Sequence, residues 1–127
     1  MKRVLIVDDS PTMRRMVMSS LRPIAEVEFT EAANGLEAIE KLSLGPVTLM
    51  VLDLNMPDMH GLDVLQFLRS HGPFKQLPVI VLTTKDDENS RKNAMDAGAT
   101  LYLTKPFQPQ TLLENASRIL ESVKASS

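Results

Sequence analysis

Residues 2–9 are Lys-Arg-Val-Leu-Ile-Val-Asp-Asp, a short apolar run, rich in β-branched residues, that ends on two acids. The pattern returns at residues 48–53, Thr-Leu-Met-Val-Leu-Asp. Apolar runs of this length are typical of strands that are covered on both faces of a parallel sheet. Because the carboxyl ends of neighbouring parallel strands line one crevice, we expect Asp8, Asp9 and Asp53 to share it.

Three further segments indicate strands. Residues 79–82 are continuously apolar and precede Thr83, and another apolar run ends at Lys105-Pro106. Residues 26–31 alternate polar side chains with apolar ones, which is typical of a half-exposed strand at the rim of a sheet. A hydroxyl and an ammonium therefore follow strands in the same way as the acids do.

Helical patterns separate these strands. Ser10 followed by Pro11 is typical of a helix start, and Asn34 with Glu37 resembles a capping box. Three more helices are predicted at about residues 62–70, from about 86 to 98, and after Pro109. The apolar faces of the first two helices are predicted from two sets of spaced residues: Met13, Met16, Val17, Ser20 and Leu21, then Leu36, Ile39 and Leu42.

Five strands that alternate with five helices predict right-handed βαβ units and an α/β fold. The expected architecture is (βα)5, a doubly wound five-stranded parallel sheet of the flavodoxin-like class. We take the strand order 2-1-3-4-5 from what is known of that class rather than from these residues. The switch point would then lie between the first and third strands.

The composition is that of one ordinary globular domain. The chain has 127 residues, 43% of them hydrophobic and 24% charged, so residues 1–127 are predicted to form a single domain with a frayed tail at about 124–127. A net charge of −2 gives no electrostatic reason to expect a nucleic-acid partner. The chain lacks cysteine, and its apolar runs are of strand length. We therefore predict a cytoplasmic protein with no membrane insertion.

Three carboxylates in one crevice would repel one another and raise one another's pKa. A hard divalent cation resolves that conflict, and Mg²⁺ suits it because this ion takes oxygen ligands from one or two carboxylates, phosphate oxygens and water. Asp8, Asp9 and Asp53 therefore predict a Mg²⁺ site, in which Mn²⁺ could substitute.

A carboxylate in such a site is also a candidate nucleophile for a phosphoryl group, with which it forms an acyl phosphate. Phosphoryl transfer depends mainly on positioning and on neutralising charge on the phosphoryl oxygens. Lys105 and Thr83 are predicted to do this beside the metal. The Lys105-Pro106 bond is a candidate cis peptide that would hold the ammonium inward.

Five motifs in order resemble the receiver domain of two-component response regulators. The resemblance spans residues 2 to about 122, and the spacers between the motifs are of helix length. The motifs are Val-Asp-Asp-Ser at 7–10, Asp53-x-x-Met56-Pro57-x-x-x-Gly61, Leu-Thr-Thr at 82–84, Ala-Gly-Ala at 97–99, and Tyr102-Leu-Thr-Lys105-Pro106-Phe107.

The resemblance implies a role for each site residue. Asp53 would be the phosphoacceptor and, with Asp9, a direct Mg²⁺ ligand. Asp8 would act largely through bound water, and the backbone carbonyl of Asn55 would contact the metal. Thr83 and Lys105 would hold phosphate oxygens.

The resemblance also implies a switch and its partners. Phosphorylation would draw the Thr83 hydroxyl inward and let the Tyr102 ring enter the vacated space, changing the surface of the fourth helix, fifth strand and fifth helix. Tyr102 as a plain packing residue is the alternative. A sensor histidine kinase or phosphotransfer domain would supply the phosphoryl group, and a downstream protein would bind the changed surface.

The segment Gly98-Ala-Thr-Leu before Tyr102 lacks the paired acids that often precede this tyrosine in receivers fused to DNA-binding domains. This absence and the short tail favour a stand-alone receiver of the chemotaxis type, a monomer that could dimerise when phosphorylated. Such a protein catalyses only its own phosphorylation and dephosphorylation, so it is not an enzyme in the usual sense. The alternative is a receiver cut from a larger regulator.

Two other classes compete. A haloacid-dehalogenase-like phosphatase also uses an Asp nucleophile with Mg²⁺, but it needs a second acid two positions later, where this chain has Asn55. A flavodoxin-like binding module would need a phosphate-binding loop after the first strand, where Asp8 and Asp9 would repel phosphate.

Overall fold

The protein, as a computed structural model, is described over residues 2–56 and 60–126, with side chains described as far as residue 122. The strands are β1 (Lys2–Val7), β2 (Val27–Ala32), β3 (Leu49–Leu52), β4 (Val79–Thr83) and β5 (Leu101–Thr104). The helices are α1 (Pro11–Leu21), α2 (Gly35–Leu42), α3 (Gly61–Ser70), α4 (Glu88–Asp96) and α5 (Pro109–Ser126). A short 3₁₀ turn, Gly72–Phe74, follows α3.

The five strands form one parallel sheet in the order β2-β1-β3-β4-β5, which confirms the expected α/β architecture. All residues of β3 and β4 are buried, as their continuous apolar sequences predict. The strand β2 lies at one edge and is mostly half-exposed or exposed, as its alternating sequence predicts. The sheet thus places the ends of β1 and β3 side by side.

Two apolar layers flank the sheet, because successive side chains of a strand point to opposite faces. On one face, Leu5 and Leu52 belong to a cluster completed by residues of α2, α3 and α4. On the other face, Ile6 and Val51 pack with residues of α1 and α5. This division of helices between two faces is what a doubly wound sheet requires.

The first two helices begin at the caps that the sequence predicts. The Ser10 hydroxyl accepts a hydrogen bond from the Met13 amide at 3.2 Å. The Asn34 side chain accepts one from the Glu37 amide at 2.9 Å. The Glu37 carboxylate reaches back to the Ala33 amide at 3.1 Å, so this capping box closes one residue before the cap.

The prediction that Leu36 and Met16 lie on buried helix faces was wrong. Leu36 is 58% exposed and Met16 is 47% exposed. In α2 the buried positions are Gly35, Ala38 and Leu42, a stripe that leaves Leu36 on the solvent side. The buried face of α1 is likewise narrower than predicted.

Helix ends differ from the prediction by one or two residues. The helix α3 begins at Gly61 rather than at 62, and α4 covers only Glu88–Asp96 because Asp87 caps it by accepting from the Ser90 amide. The helix α5 continues to Ser126, and the fraying predicted for 124–127 stays a prediction. Among the described residues, no helix combines the length and apolar character needed to cross a bilayer.

The link between α4 and β5 depends on Gly98. Its φ of +112° is a backbone conformation that residues with a side chain rarely adopt. The Arg69 guanidinium donates to the Gly98 carbonyl through Nε at 3.1 Å and through Nη2 at 2.8 Å. A Cβ at Gly98 would lie 2.7 Å from Arg69 Nε, so both the backbone and this contact oppose a larger residue.

We therefore expect Gly98→Ala to lower the free energy of unfolding by about 1–2 kcal/mol, the cost of a left-handed backbone in an L-residue. Urea denaturation measures it. Gly72→Ala is the matched control, since a Cβ there meets nothing within 4 Å. Equal unfolding free energies for the two variants would contradict the role given to Gly98.

Candidate functional site

Backbone pairing between β1 and β3 brings Asp8 and Asp53 together. The strand register pairs Val7 with Leu52, so Asp8 and Asp53 are the next residues on neighbouring strands. The Asp53 amide donates to the Val7 carbonyl at 2.9 Å, which continues the ladder beyond β3. Carboxylate oxygens of Asp8, Asp9 and Asp53 all lie within 4.8 Å of one another. The sheet therefore brings Asp8 and Asp53 together, and the loop after β1 adds Asp9, so the three acids meet as the sequence predicts.

The three carboxylates differ in their access to solvent. Asp8 is 4% exposed and Asp53 is 5% exposed, whereas Asp9 is exposed at the mouth of the site. Asp8 Oδ1 accepts a hydrogen bond from the Ser10 amide at 2.9 Å, and Asp53 Oδ1 accepts one from the Asn55 amide at 3.1 Å. One oxygen of each buried carboxylate is thus held by the backbone.

The other oxygen of each buried carboxylate faces one ammonium group. Lys105 Nζ lies 2.7 Å from Asp8 Oδ2 and 3.4 Å from Asp53 Oδ2. The Lys105 amide donates to the Thr83 carbonyl at 2.8 Å, which places this residue directly after β5 beside the end of β4. The predicted cis bond between Lys105 and Pro106 is confirmed. This ammonium is shared by the two carboxylates that the sheet forces together.

Thr83 ends β4 and is fully buried. Its hydroxyl accepts from the Lys85 amide at 3.5 Å, a long contact and therefore a weak one. The strand β4 lies between β3 and β5 in the sheet. Thr83, at the end of β4, therefore lies on the strand between those that lead to Asp53 and Lys105. Its predicted role with phosphate oxygens stays a prediction.

Burial raises the pKa of Asp53 above its ordinary value. The Asn55 amide and the Lys105 ammonium oppose that rise, and the nearby Asp8 carboxylate adds to it. Desolvation and like charge therefore make the ionised Asp53 costly, and a bound cation would lower that cost.

The donor set fits Mg²⁺. It consists of carboxylate oxygens, which are the hard ligands this ion prefers, and exposed Asp9 leaves the site open to the waters that it retains. Asp8 is paired directly with Lys105, and its predicted action through water stays a prediction. The metal contact predicted for the Asn55 backbone carbonyl also stays a prediction. Pro57 of the second motif lies outside the described residues.

The Tyr102 ring is buried in this structure, at 3% exposure. Its hydroxyl donates to the Lys85 carbonyl at 2.6 Å, and the Arg91 guanidinium lies 4.9 Å from the centre of its ring. The Tyr102 side chain is thus held between the loop after β4 and helix α4, and the switch predicted for this ring stays a prediction.

Sequence reasoning missed three contacts around the site, those of Arg14 and Arg91 and that of the Lys85 carbonyl with the Tyr102 hydroxyl. Arg14 donates through Nη1 to the Asp8 carbonyl at 2.6 Å, and Arg91 covers Tyr102 from α4. A signal for Arg14 exists, since it lies on the first turns of the helix that starts beside Asp9. The sequence held no signal for the contact of Tyr102 with the Lys85 carbonyl, because every residue has the same main-chain carbonyl.

Comparison with known proteins agrees with this geometry. A family model for the response regulator receiver domain matches residues 4–117. The chain is 40% identical to the chemotaxis protein CheY1 of Helicobacter pylori over 119 residues, which cover 93% of this chain and 96% of that protein. It is 39% identical to the chemotaxis protein CheY-3 of Vibrio cholerae, covering 94% and 92% of the two chains.

Solved structures give the same result. The chemotaxis response regulator CheY4 of Vibrio cholerae superposes with a TM-score of 0.85 at 36% identity, covering 94% of this chain and 98% of the other. The Mn²⁺-bound form of the response regulator Rcp1 superposes with a TM-score of 0.79 at 28% identity, covering 94% and 91%.

The buried phenol yields a pH prediction. Burial is the main cause that raises the pKa of Tyr102 above 10; Asp87 and Asp86 add to the rise and Arg91 opposes it. The folded chain therefore binds this proton more tightly than the unfolded chain. That contribution to stability is complete below pH 10 and is lost as the pH rises through the folded pKa.

Tyr102 is the only tyrosine and the chain has no tryptophan, so the absorbance of ionised phenol reports this residue alone. We expect a titration midpoint above 10 in the folded protein and near 10 in urea. An equal midpoint in both states would contradict the buried, hydrogen-bonded position of the ring.

Proposed function

The chain belongs to the response regulator receiver domain family and is a phosphorylation-activated signalling switch, and we propose that Asp53 is the residue that accepts the phosphoryl group. The sequence selects Asp53 over Asp8, because Asp53 begins the segment Asp53-x-x-Met56-Pro57-x-x-x-Gly61 that resembles the phosphoacceptor motif of the family. The geometry of the site supports a reaction at this residue. The Asp53 carboxylate lies within reach of both a second buried carboxylate and the Lys105 ammonium, at the end of a central strand. Charge of both signs is thus arranged around one candidate nucleophile.

We propose that Asp9 and Asp53 hold Mg²⁺ directly, with the Asn55 carbonyl as a further ligand and Asp8 acting through water. Mn²⁺ would substitute, as the Mn²⁺-bound form of Rcp1 suggests by analogy. When bound, the cation would neutralise charge on the phosphoryl oxygens and allow Asp53 to stay ionised.

In the proposed reaction, an oxygen of the Asp53 carboxylate attacks the phosphorus of the donor. A new P–O bond forms to Asp53, while the P–N bond of a phosphohistidine or the P–O bond of an acyl phosphate breaks. The leaving group departs with the bonding electron pair. Attack by water on the same phosphorus reverses the modification and returns inorganic phosphate.

Lys105 and Thr83 would hold the phosphoryl oxygens. The Lys105 ammonium already lies between the Asp8 and Asp53 carboxylates, so it needs only a small movement to donate to an oxygen bound to Asp53. Among the described residues, the Thr83 hydroxyl has only the long hydrogen bond from the Lys85 amide, which leaves it able to turn towards a stronger acceptor. Hydrogen bonds to such charged oxygens are short and strong.

The output is a population shift. Tyr102 is buried and bonded to the Lys85 carbonyl, and we propose that phosphorylation, acting through Thr83, shifts the population of this ring position. Moving a two-state equilibrium from nearly all off to nearly all on needs about 5.5 kcal/mol. Several charge-assisted hydrogen bonds could supply this together, whereas one could not.

We propose that the phosphoryl donor is a sensor histidine kinase or phosphotransfer domain. The surface formed by α4, β5 and α5 would then bind a downstream protein, in a chemotaxis pathway by analogy with the relatives. Residues 1–127 would act as one receiver domain, as a monomer or as a phosphorylation-dependent dimer. Nothing favours a phosphatase, since Asn55 provides no general acid two positions after Asp53.

The proposal predicts a covalent adduct. Incubation with Mg²⁺ and acetyl phosphate should raise the intact mass by one phosphoryl group, and base should remove it. Asp53→Asn should abolish the adduct because the nucleophile is gone. Asp63→Asn, which neutralises an exposed acid on α3, should retain it.

Three results would overturn the proposal. One is an adduct that survives in Asp53→Asn, another is equal labelling when a chelator replaces Mg²⁺, and the third is steady phosphate release from a phosphomonoester without any adduct. The last would instead indicate the phosphatase class.

A further inference from the structure

Arg14 joins the acidic loop to the edge of the sheet. This residue lies on α1, and its guanidinium donates through Nη1 to the Asp8 carbonyl at 2.6 Å. Through Nε it donates to Glu31 Oε1 at 2.9 Å, on the edge strand β2. The side chain is largely buried, whereas that of Glu31 is half-exposed. One planar group thus binds two acceptors along two fixed directions.

We propose that Arg14 is a positioning residue for the metal site, which fixes the direction of the Asp9 carboxylate; this rests on the proposed function. Asp9 is exposed, and the structure gives its carboxylate no hydrogen bond to any described residue. Its direction therefore depends on the backbone that bears it.

The Asp8–Asp9 peptide provides that control. A peptide unit is planar, so the direction of the Asp8 carbonyl also sets the position of the Asp9 Cα atom. The amide of Asp8 is held by the Ala32 carbonyl at 3.0 Å, and the carbonyl of Asp8 is held by Arg14. If Arg14 is lost, this peptide can rotate, and Asp9 turns away from Asp53.

Charge alone predicts the opposite result. Arg14 is a cation near an acidic site, so its removal should strengthen the binding of a divalent cation if only Coulomb attraction mattered. Loss of positioning should weaken binding instead, by about 10-fold or more, as for other groups that orient metal ligands. The sign of the change therefore separates the two explanations.

The test is the affinity for Mn²⁺, measured from the electron paramagnetic resonance signal of the free ion. We expect Arg14→Met to bind Mn²⁺ about 10-fold more weakly than the wild type. The control is Arg15→Met, which removes the same charge from the next residue. Arg15 is exposed, and among the described residues its side chain hydrogen-bonds only to Thr12 of its own helix, at 3.3 Å, so we expect unchanged affinity there.

Arg14→Lys is a second variant that keeps the positive charge, so a change in its Mn²⁺ affinity cannot come from lost charge. It also keeps the inference testable if Arg14→Met does not fold. An ammonium keeps the charge but cannot donate along both directions of the guanidinium, so we expect affinity below that of the wild type. Urea midpoints of the variants, measured in parallel, would show that the protein remains folded.

Two outcomes distinguish the failure of this inference from that of the proposed function. Wild-type affinity in both Arg14 variants, or tighter binding by Arg14→Met, would overturn the positioning role while leaving the metal site intact. A wild-type protein that binds no Mn²⁺ and takes no phosphoryl group from acetyl phosphate would overturn the proposed function, and this inference with it.

Discussion

The sheet forces two buried carboxylates together, and the rest of the site depends on how that charge is compensated. Asp8 and Asp53 follow paired residues of β1 and β3, so neither can move away without breaking the ladder. The Lys105 ammonium contacts both, at 2.7 Å and 3.4 Å. A single cation facing two buried anions leaves net negative charge, which would favour the binding of a second, exchangeable cation at this place.

The same constraint connects chemistry to signalling. A phosphoryl group on Asp53 would add negative charge and acceptor oxygens beside the Lys105 ammonium, with Thr83 at the end of the neighbouring strand β4. Thr83 precedes the β4–α4 loop, whose Lys85 carbonyl accepts the Tyr102 hydroxyl. Under the proposed function, a change at the end of β3 would reach the surface formed by α4, β5 and α5 through Thr83 and the buried Tyr102 ring.

Sequence alone could predict the strands, their polar ends and the receiver family, because each depends on local patterns and a general rule of parallel sheets. The meeting of Asp8, Asp9 and Asp53 followed from strand ends in the same way. Sequence alone could not place Leu36 outside the core, since the rotation of the short helix α2 about its axis is set by the elements that it packs against. Sequence could place Arg14 near Asp9, on the helix that starts there, but its contact with the Asp8 carbonyl depends on the angle of α1. The role of the Lys85 carbonyl depends on main-chain geometry and had no sequence signal.

The most direct test of this account is urea unfolding of Lys105→Met with and without Mg²⁺, beside Lys92→Met as a control on exposed α4. Removing one partner of a buried ion pair should cost about 3–5 kcal/mol without Mg²⁺. Mg²⁺ should restore more stability to Lys105→Met than it adds to the wild type, because it replaces the missing positive charge. If Lys105→Met were as stable as Lys92→Met and unresponsive to Mg²⁺, the acidic trio would not need a cation, and the account would be wrong.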